Sequence, residues 1–171
     1  MPASGRSRRA WGWHRLTDEW AARVVAAAGV RPGELVLDIG AGEGALTAHL
    51  VRAGARVIAV ELNPGRIQIL RERFPGVRVV PADATSLRLP GRPFRVVANP
   101  PYGISARLLR MLLAPDSQLA AADLVLQRAV VHKYSSGPAR RFHCDTGLAL
   151  PRRAFRPPPR VDSAVLKIRR R

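Results

Sequence analysis

Residues 34–39, Glu-Leu-Val-Leu-Asp-Ile, run straight into Gly40-Ala-Gly-Glu-Gly44. An apolar run of that length, broken by one acid, reads as a strand buried on both faces. Three glycines in five residues let the backbone pass close to a ligand and adopt positive φ. Residues 45–53 then carry helical spacing. A strand, a glycine-rich turn and a helix in direct succession confine the chain to α/β architectures whose ligands bind at the carboxyl ends of the strands.

The rest of the chain repeats that alternation. A helix is expected from Leu16 to Ala28, capped by Thr17 or Asp18 and closed by Gly29. Strands are expected at 56–61, 77–80, 94–98 and 123–127. Helices are expected from Pro64 to about Phe74, with the proline at its first position, and over 104–113. Residues 134–141 read as a loop, and 146–150 and 163–169 as the last strands. With right-handed crossovers this gives a mostly parallel seven-stranded sheet. The final two strands have no convincing helix between them, so they are expected to pair antiparallel. Residues 1–12 read as a flexible basic arm and 13–171 as one catalytic domain, with no second domain after Arg171.

The chain has 171 residues, 47% of them hydrophobic, enough for one full core. No run of eighteen apolar residues is present, so no membrane span is expected, and no apolar segment follows the basic start as a secretory signal would require. The net charge is +17, from 29 basic and 12 acidic side chains, and 27 of the 29 cations are arginine. Such an excess implies a polyanionic partner, nucleic acid first. The cations are uneven: Arg6, Arg8, Arg9 and Arg15 stand at the start with no acid, and residues 151–171 hold eight basic residues against Asp162 alone. Cys144, the single cysteine, permits no intrachain disulfide and fits a reducing, cytoplasmic setting. His14, His49, His132 and His143 show no metal-ligand spacing, so no metal is expected.

The chemistry is concentrated behind four successive strands. Gly40-x-Gly42-x-Gly44 follows the first, and Gly40, Gly42 and Ala45 also satisfy the G-x-G-x-x-A form of the dinucleotide fingerprint. Glu61 ends the second and can accept both ribose hydroxyls, as NAD proteins also arrange. Asp83 follows the third, where a carboxylate can accept from an adenine amino group. Asn99-Pro100-Pro101-Tyr102 follows the fourth. There the Asn99 and Pro100 carbonyls can both accept from an exocyclic –NH2 while the Tyr102 ring stacks on a base. The ordered set separates an S-adenosylmethionine site from a dinucleotide site and points to methyl transfer onto a nucleic-acid amine.

The set resembles the rRNA adenine N6-methyltransferases. Within them it looks most like the macrolide-lincosamide-streptogramin resistance (Erm) type, in a short mycobacterial-like form. The segments that carry this are Leu37-Asp-Ile-Gly-Ala-Gly-Glu-Gly44, Ala59-Val-Glu61, Ala82-Asp83, Asn99-Pro-Pro-Tyr-Gly-Ile-Ser105 and Phe155-Arg-Pro-Pro-Pro-Arg-Val-Asp-Ser163. The resemblance implies a Rossmann-like class I methyltransferase fold and S-adenosylmethionine held by His14, Leu16, Gly40, Gly42, Glu61, Asp83 and Asn99. It implies catalysis by Asn99, Pro100 and Tyr102, with Phe155 on the second face of the base. The implied partner is 23S rRNA and the implied outcome antibiotic resistance by a monomeric enzyme. Trp13-His14-Arg15-Leu16 stands where the family has Gln-Asn/His-Phe-Leu, so Trp13 and Arg15 depart from the pattern. The family's C-terminal helical domain is not seen after the catalytic motifs. A 16S rRNA dimethyladenosine transferase shares the same pocket; a DNA adenine methyltransferase shares Asn-Pro-Pro-Tyr but is expected to carry a target-recognition domain; a non-catalytic RNA-binding relative shares the fold.

Overall fold

The computed structural model describes residues 13–137 and 140–171, so the basic arm read in residues 1–12 lies outside the described residues. Seven strands form one sheet: β2 (Leu35–Ile39), β3 (Arg56–Glu61), β4 (Arg78–Pro81), β5 (Phe94–Ala98), β6 (Leu119–Gln127), β7 (Phe142–Leu150) and β9 (Ser163–Arg170). Their order is β4-β3-β2-β5-β6-β9-β7. All neighbours run parallel except β9, which is antiparallel to both β6 and β7. A separate two-stranded ladder joins β1 (Arg15–Leu16) to β8 (Phe155–Arg156).

Among the described residues, five α-helices cover the sheet: α1 (Asp18–Ala28), α2 (Ala45–Arg52), α3 (Pro64–Arg73), α4 (Ser105–Leu112) and α5 (Arg128–Ser135). Their ends follow local chemistry. Thr17 caps α1 by accepting from the Trp20 amide, and Gly29 ends it at φ 65°. Asn63 caps α3 by accepting from the Arg66 amide, with Pro64 in its first turn.

Alternation along the strands sorts the core into two layers. Leu37, Val96, Leu124 and Leu166 face one side, against Leu108, Leu109 and Leu112 of α4. Val36, Val97, Val125 and Val165 face the other, against Trp20, Val24, Leu46 and Leu50. Fully burying one such side chain is worth about 1.5–3 kcal/mol. A charged cluster sits between these layers and the start of the sheet. Asp123, 1% exposed, accepts from Arg95, Lys167 and Arg169. Arg95 also donates to the Ala28 and Gly29 carbonyls. No basic residue occupies the last turn of α1, so the sheet supplies the positive charge that its carbonyl end attracts.

Three departures from the sequence reading stand out. Leu16 does not begin α1; it belongs to β1 and pairs with Phe155. Residues 128–135, assigned to no helix by the sequence, form α5, whose one buried residue is Val131. Strands β6 and β7 each begin four residues earlier than expected, at Leu119 and Phe142. The two late strands do pair antiparallel, with only a 3-10 turn (Arg152–Ala154) and β8 between them.

Gly44 starts α2 at φ 98°, and a Cβ there would overlap the Phe74 ring and approach Leu70. Gly44→Ala therefore combines a left-handed backbone with a clash. The expected loss is about 1–3 kcal/mol of stability, read as a lower urea midpoint with an unchanged m-value.

Candidate active site

The carboxyl ends of β2, β3, β4 and β5 meet along one edge, and the glycine loop crosses it. Gly40 takes φ 74°. A Cβ on it would stand 3.2 Å from Pro101 Cδ and 3.5 Å from Pro100 Cα, so a side chain there would crowd the segment after β5 on a left-handed backbone that already favours glycine. Gly40 and Ala41 amides donate to the Val60 carbonyl. The Glu61 carboxylate, 7% exposed, completes the anchorage. Its Oε1 accepts from the Gly42 amide at 2.8 Å, and its Oε2 from the Leu62 and Asn63 amides at 2.8 and 2.9 Å. Three of a carboxylate's roughly four acceptor positions are thus committed. The carboxylate, itself part of the cavity lining, is the group expected to receive the ribose hydroxyls.

Beside Glu61 opens a cavity lined by Trp13, Asn63, Arg66, Asp83, Pro101 and Ile104, among others. Asp83 Oδ1 accepts from the Thr85 amide and hydroxyl at 2.8 and 2.7 Å, and these bonds hold its carboxyl below the usual range. Its second oxygen remains available to an amino group. The Trp13 indole lies over Gly42, with Nε1 3.4 Å from where a Cβ would be, and the Arg66 guanidinium stacks 3.8 Å above the indole. The cavity therefore has a carboxylate at each of two corners and an aromatic wall, a set of acceptors and stacking surface that fits an adenosine.

Asp38 belongs to this site, although the sequence reading gave it no role. It is 1% exposed, lines the inner recess under the glycine loop, and accepts from Thr47 Oγ1 at 2.7 Å. Burial pushes its carboxyl up to about 7; the Thr47 hydrogen bond pulls down and the nearby Glu61 charge adds to the rise. A lone acid inside the apolar stretch 35–39 was the available signal.

At the end of β5, Asn99 Nδ2 donates to the His14 carbonyl at 2.8 Å. A carbonyl can only accept, so this bond fixes which way round the amide stands and leaves Oδ1 uncommitted. The Tyr102 hydroxyl bonds Ser163 Oγ, the first residue of β9, at 2.6 Å. Its ring lies 5.7 Å from the His14 imidazole, tilted by 33°. His14 Nδ1 meets the Pro157 carbonyl at 2.8 Å. The structure thus brings His14 to Asn99 and Tyr102, and its imidazole is not part of the cavity beside Glu61. Leu16 is 2% exposed and borders the recess that holds Asp38. Phe155 requires a correction. It is 1% exposed and packed in the core with Leu16, Trp20 and Leu150, so no face of it is open to a base. The pairing of β1 with β8 drives it inward.

The fold, the pinned glycine loop and the amide-bearing strand end together define an S-adenosylmethionine-dependent methyltransferase. The chain belongs to the ribosomal RNA adenine dimethylase family, whose model matches residues 6–171. It is 35% identical to the ribosomal RNA small subunit methyltransferase A of Thermosynechococcus vestitus, over 96% of this chain and 70% of that protein. Among solved structures it is similar to the 23S rRNA methyltransferase ErmE, with a TM-score of 0.82, 33% identity, and coverage of 91% of this chain and 69% of that one. It is also similar to a dimethyladenosine transferase from Plasmodium falciparum, with a TM-score of 0.81, 25% identity, and coverage of 92% and 64%. The chain spans about two thirds of the length of the curated relatives it matches, from 64% to 70%. Those relatives carry the small-subunit name, so the resistance-type assignment is not carried by them; ErmE supports it by structure alone.

Asp38 gives a pH signature. Its native pKa lies above its unfolded value, so folding is favoured most below pH 4 by this group. That contribution is lost as pH rises from about 4 to about 7. Asp38→Asn keeps an acceptor for Thr47 and removes the titration. Relative to wild type, the variant should gain stability across that window, by on the order of 4 kcal/mol at most. Urea unfolding at pH 4.5, 6 and 7.5 measures it, and a constant difference at all three would refute the assignment.

Proposed function

We propose that this chain transfers a methyl group from S-adenosylmethionine to N6 of an adenine in ribosomal RNA. The observation that carries the proposal is the committed Asn99 amide. Its nitrogen is held by the His14 carbonyl, so its oxygen is left for a donor, beside the Pro100 carbonyl and the Tyr102 ring. The N6 lone pair of adenine is delocalised into the ring and is a poor nucleophile. Two fixed acceptors on the amino protons draw the nitrogen toward tetrahedral geometry and return the lone pair to it. The cofactor supplies an electrophilic methyl carried on a sulfonium. Glu61 and Asp83 hold its adenosine, and Asp38 lies in the recess beyond. The methylated nitrogen is strongly acidic and releases its proton to water, so catalysis rests on positioning and electrostatics. Tyr102 stacks on the base once it has swung out of its helix. With Phe155 buried, its second face is left to another group.

The substrate reading that the relatives favour is small-subunit rRNA, because the curated relatives are small subunit methyltransferases. Large-subunit rRNA is the second reading, favoured by the 33% identity and shared fold with ErmE. The test is transfer of labelled methyl to naked 16S rRNA, to small subunits and to naked 23S rRNA, with the product nucleoside identified by mass spectrometry. Label in N6-methyladenine of the small-subunit substrates supports the first reading. Label confined to 23S rRNA transfers the protein to the second, and label in neither refutes both. Asn99→Ala should stay folded and lose about 10²–10³ in turnover, the usual cost of one pre-positioned partner. Turnover within a few-fold of wild type would overturn the mechanism.

A further inference from the structure

The two-residue ladder at the mouth of the site carries an unusual pairing. Leu16 stands opposite Phe155, and Arg15 stands opposite Arg156. Directly opposed residues of an antiparallel pair project from the same face, with Cβ atoms about 4.5–5.5 Å apart. Leu16 and Phe155 both point inward, at 2% and 1% exposure, so both arginines point outward. Like charges placed directly opposite destabilise a ladder, yet this ladder is what carries His14 over Asn99.

The surroundings offset that repulsion on the Arg15 side only. Arg15 meets Glu43 at 3.0 Å, while Arg156 has no acidic partner among the described residues. The two arginines share an open groove with Arg66 and Pro157. Its acids are Glu43 and Asp18, and Asp18 is engaged by His49 at 2.8 Å. The groove also adjoins the reacting end. His14 and Pro157, the chain neighbours of Arg15 and Arg156, bond one another, and His14 contacts both Asn99 and Tyr102.

We propose that Arg15 and Arg156 form a cross-strand clamp on a phosphodiester of the substrate strand, next to the adenine that enters over Tyr102. The proposal rests on the nucleic-acid reading given above. Each guanidinium offers a planar fork of donors suited to phosphate oxygens. An anion between them converts the repulsion into attraction and tightens the ladder when substrate is present. A phosphate contact reads no sequence; it fixes register. Here it sets which nucleotide lies within reach of Asn99. Arg15 stands at a position where the family pattern has phenylalanine, so this half of the clamp belongs to this chain's own sequence.

The test uses Arg15→Gln, Arg156→Gln and the double variant, with naked small-subunit rRNA and adenine-bearing hairpins cut from it. Binding is followed by fluorescence anisotropy over a salt series. Each single variant should weaken binding, and the slope of log K against log salt should flatten by about 0.7–0.9 per lost contact. S-adenosylmethionine affinity of Arg156→Gln, read by calorimetry, should stay at the wild-type value. The melting temperature of Arg156→Gln, which leaves the Arg15–Glu43 pair in place, should be equal or higher, since a repulsion is gone; a merely structural Arg156 would lower it. In a hairpin series carrying one neutral methylphosphonate at a time, one position should weaken wild-type binding and leave the double variant unaffected. An unchanged salt slope, or no methylphosphonate position that distinguishes the proteins, overturns the clamp. Methyl transfer by wild type to the same RNAs is measured in parallel. Its absence refutes the proposed function, whereas transfer with an unaltered slope in the double variant refutes the clamp alone.

Discussion

Three backbone amides, those of Gly42, Leu62 and Asn63, converge on one buried carboxylate at the end of β3. Charge-assisted bonds of this kind are roughly twice as strong as neutral ones, and among the described residues Glu61 has no charged partner to leave them for. The bond to Gly42 ties the glycine loop of β2 to the neighbouring strand. Those to Leu62 and Asn63 fix the turn from which Asn63 caps α3. Loop, cavity wall and helix start are therefore held by one side chain. A second acid, Asp38, sits below the same loop close enough for the two charges to interact. The loop is thus held from above by a carboxylate and underlain by a carboxyl that burial keeps protonated more readily than usual.

The reacting edge is coupled to the far end of the sheet through Tyr102. Its hydroxyl bonds the first residue of β9, the one strand that runs against all the others. That strand also brings Lys167 and Arg169 to Asp123. The antiparallel insertion of β9 between β6 and β7 therefore does two jobs. It neutralises a buried acid at one end and orients an aromatic ring at the other. Gly40 shows the same economy of space, because its positive φ and the nearness of Pro100 and Pro101 both favour a residue without a side chain.

The sequence made legible what depends on local chemistry. The glycine loop, the capped starts of α1 and α3 and the buried strands all carry their cause within a few residues. The order of acids behind successive strands placed the cavity as well, because parallel strands deliver their carboxyl ends to one edge. What was hidden depends on contacts distant in the chain. Residues 128–135 bury only Val131, so no apolar stripe announces α5. Phe155 looked available to a base because an aromatic beside prolines reads the same exposed or buried; its pairing with Leu16, 139 positions earlier, drives it inward. Asp38 was overlooked because a single acid within an apolar run gives no partner in sequence, and Thr47 reaches it only after the loop has turned.

The bond that orients Asn99 has a particular property: its acceptor is a main-chain oxygen. Any residue placed at position 14 brings the same carbonyl, so exchanging the side chain removes the imidazole and keeps the contact. Comparisons of related sequences, and libraries of single substitutions, both record side chains. They would score the partner of the most chemically important amide in this site as freely variable. Its function would surface only when the path of the chain itself is altered, by an insertion, a deletion or a proline that shifts the backbone of the β1 segment.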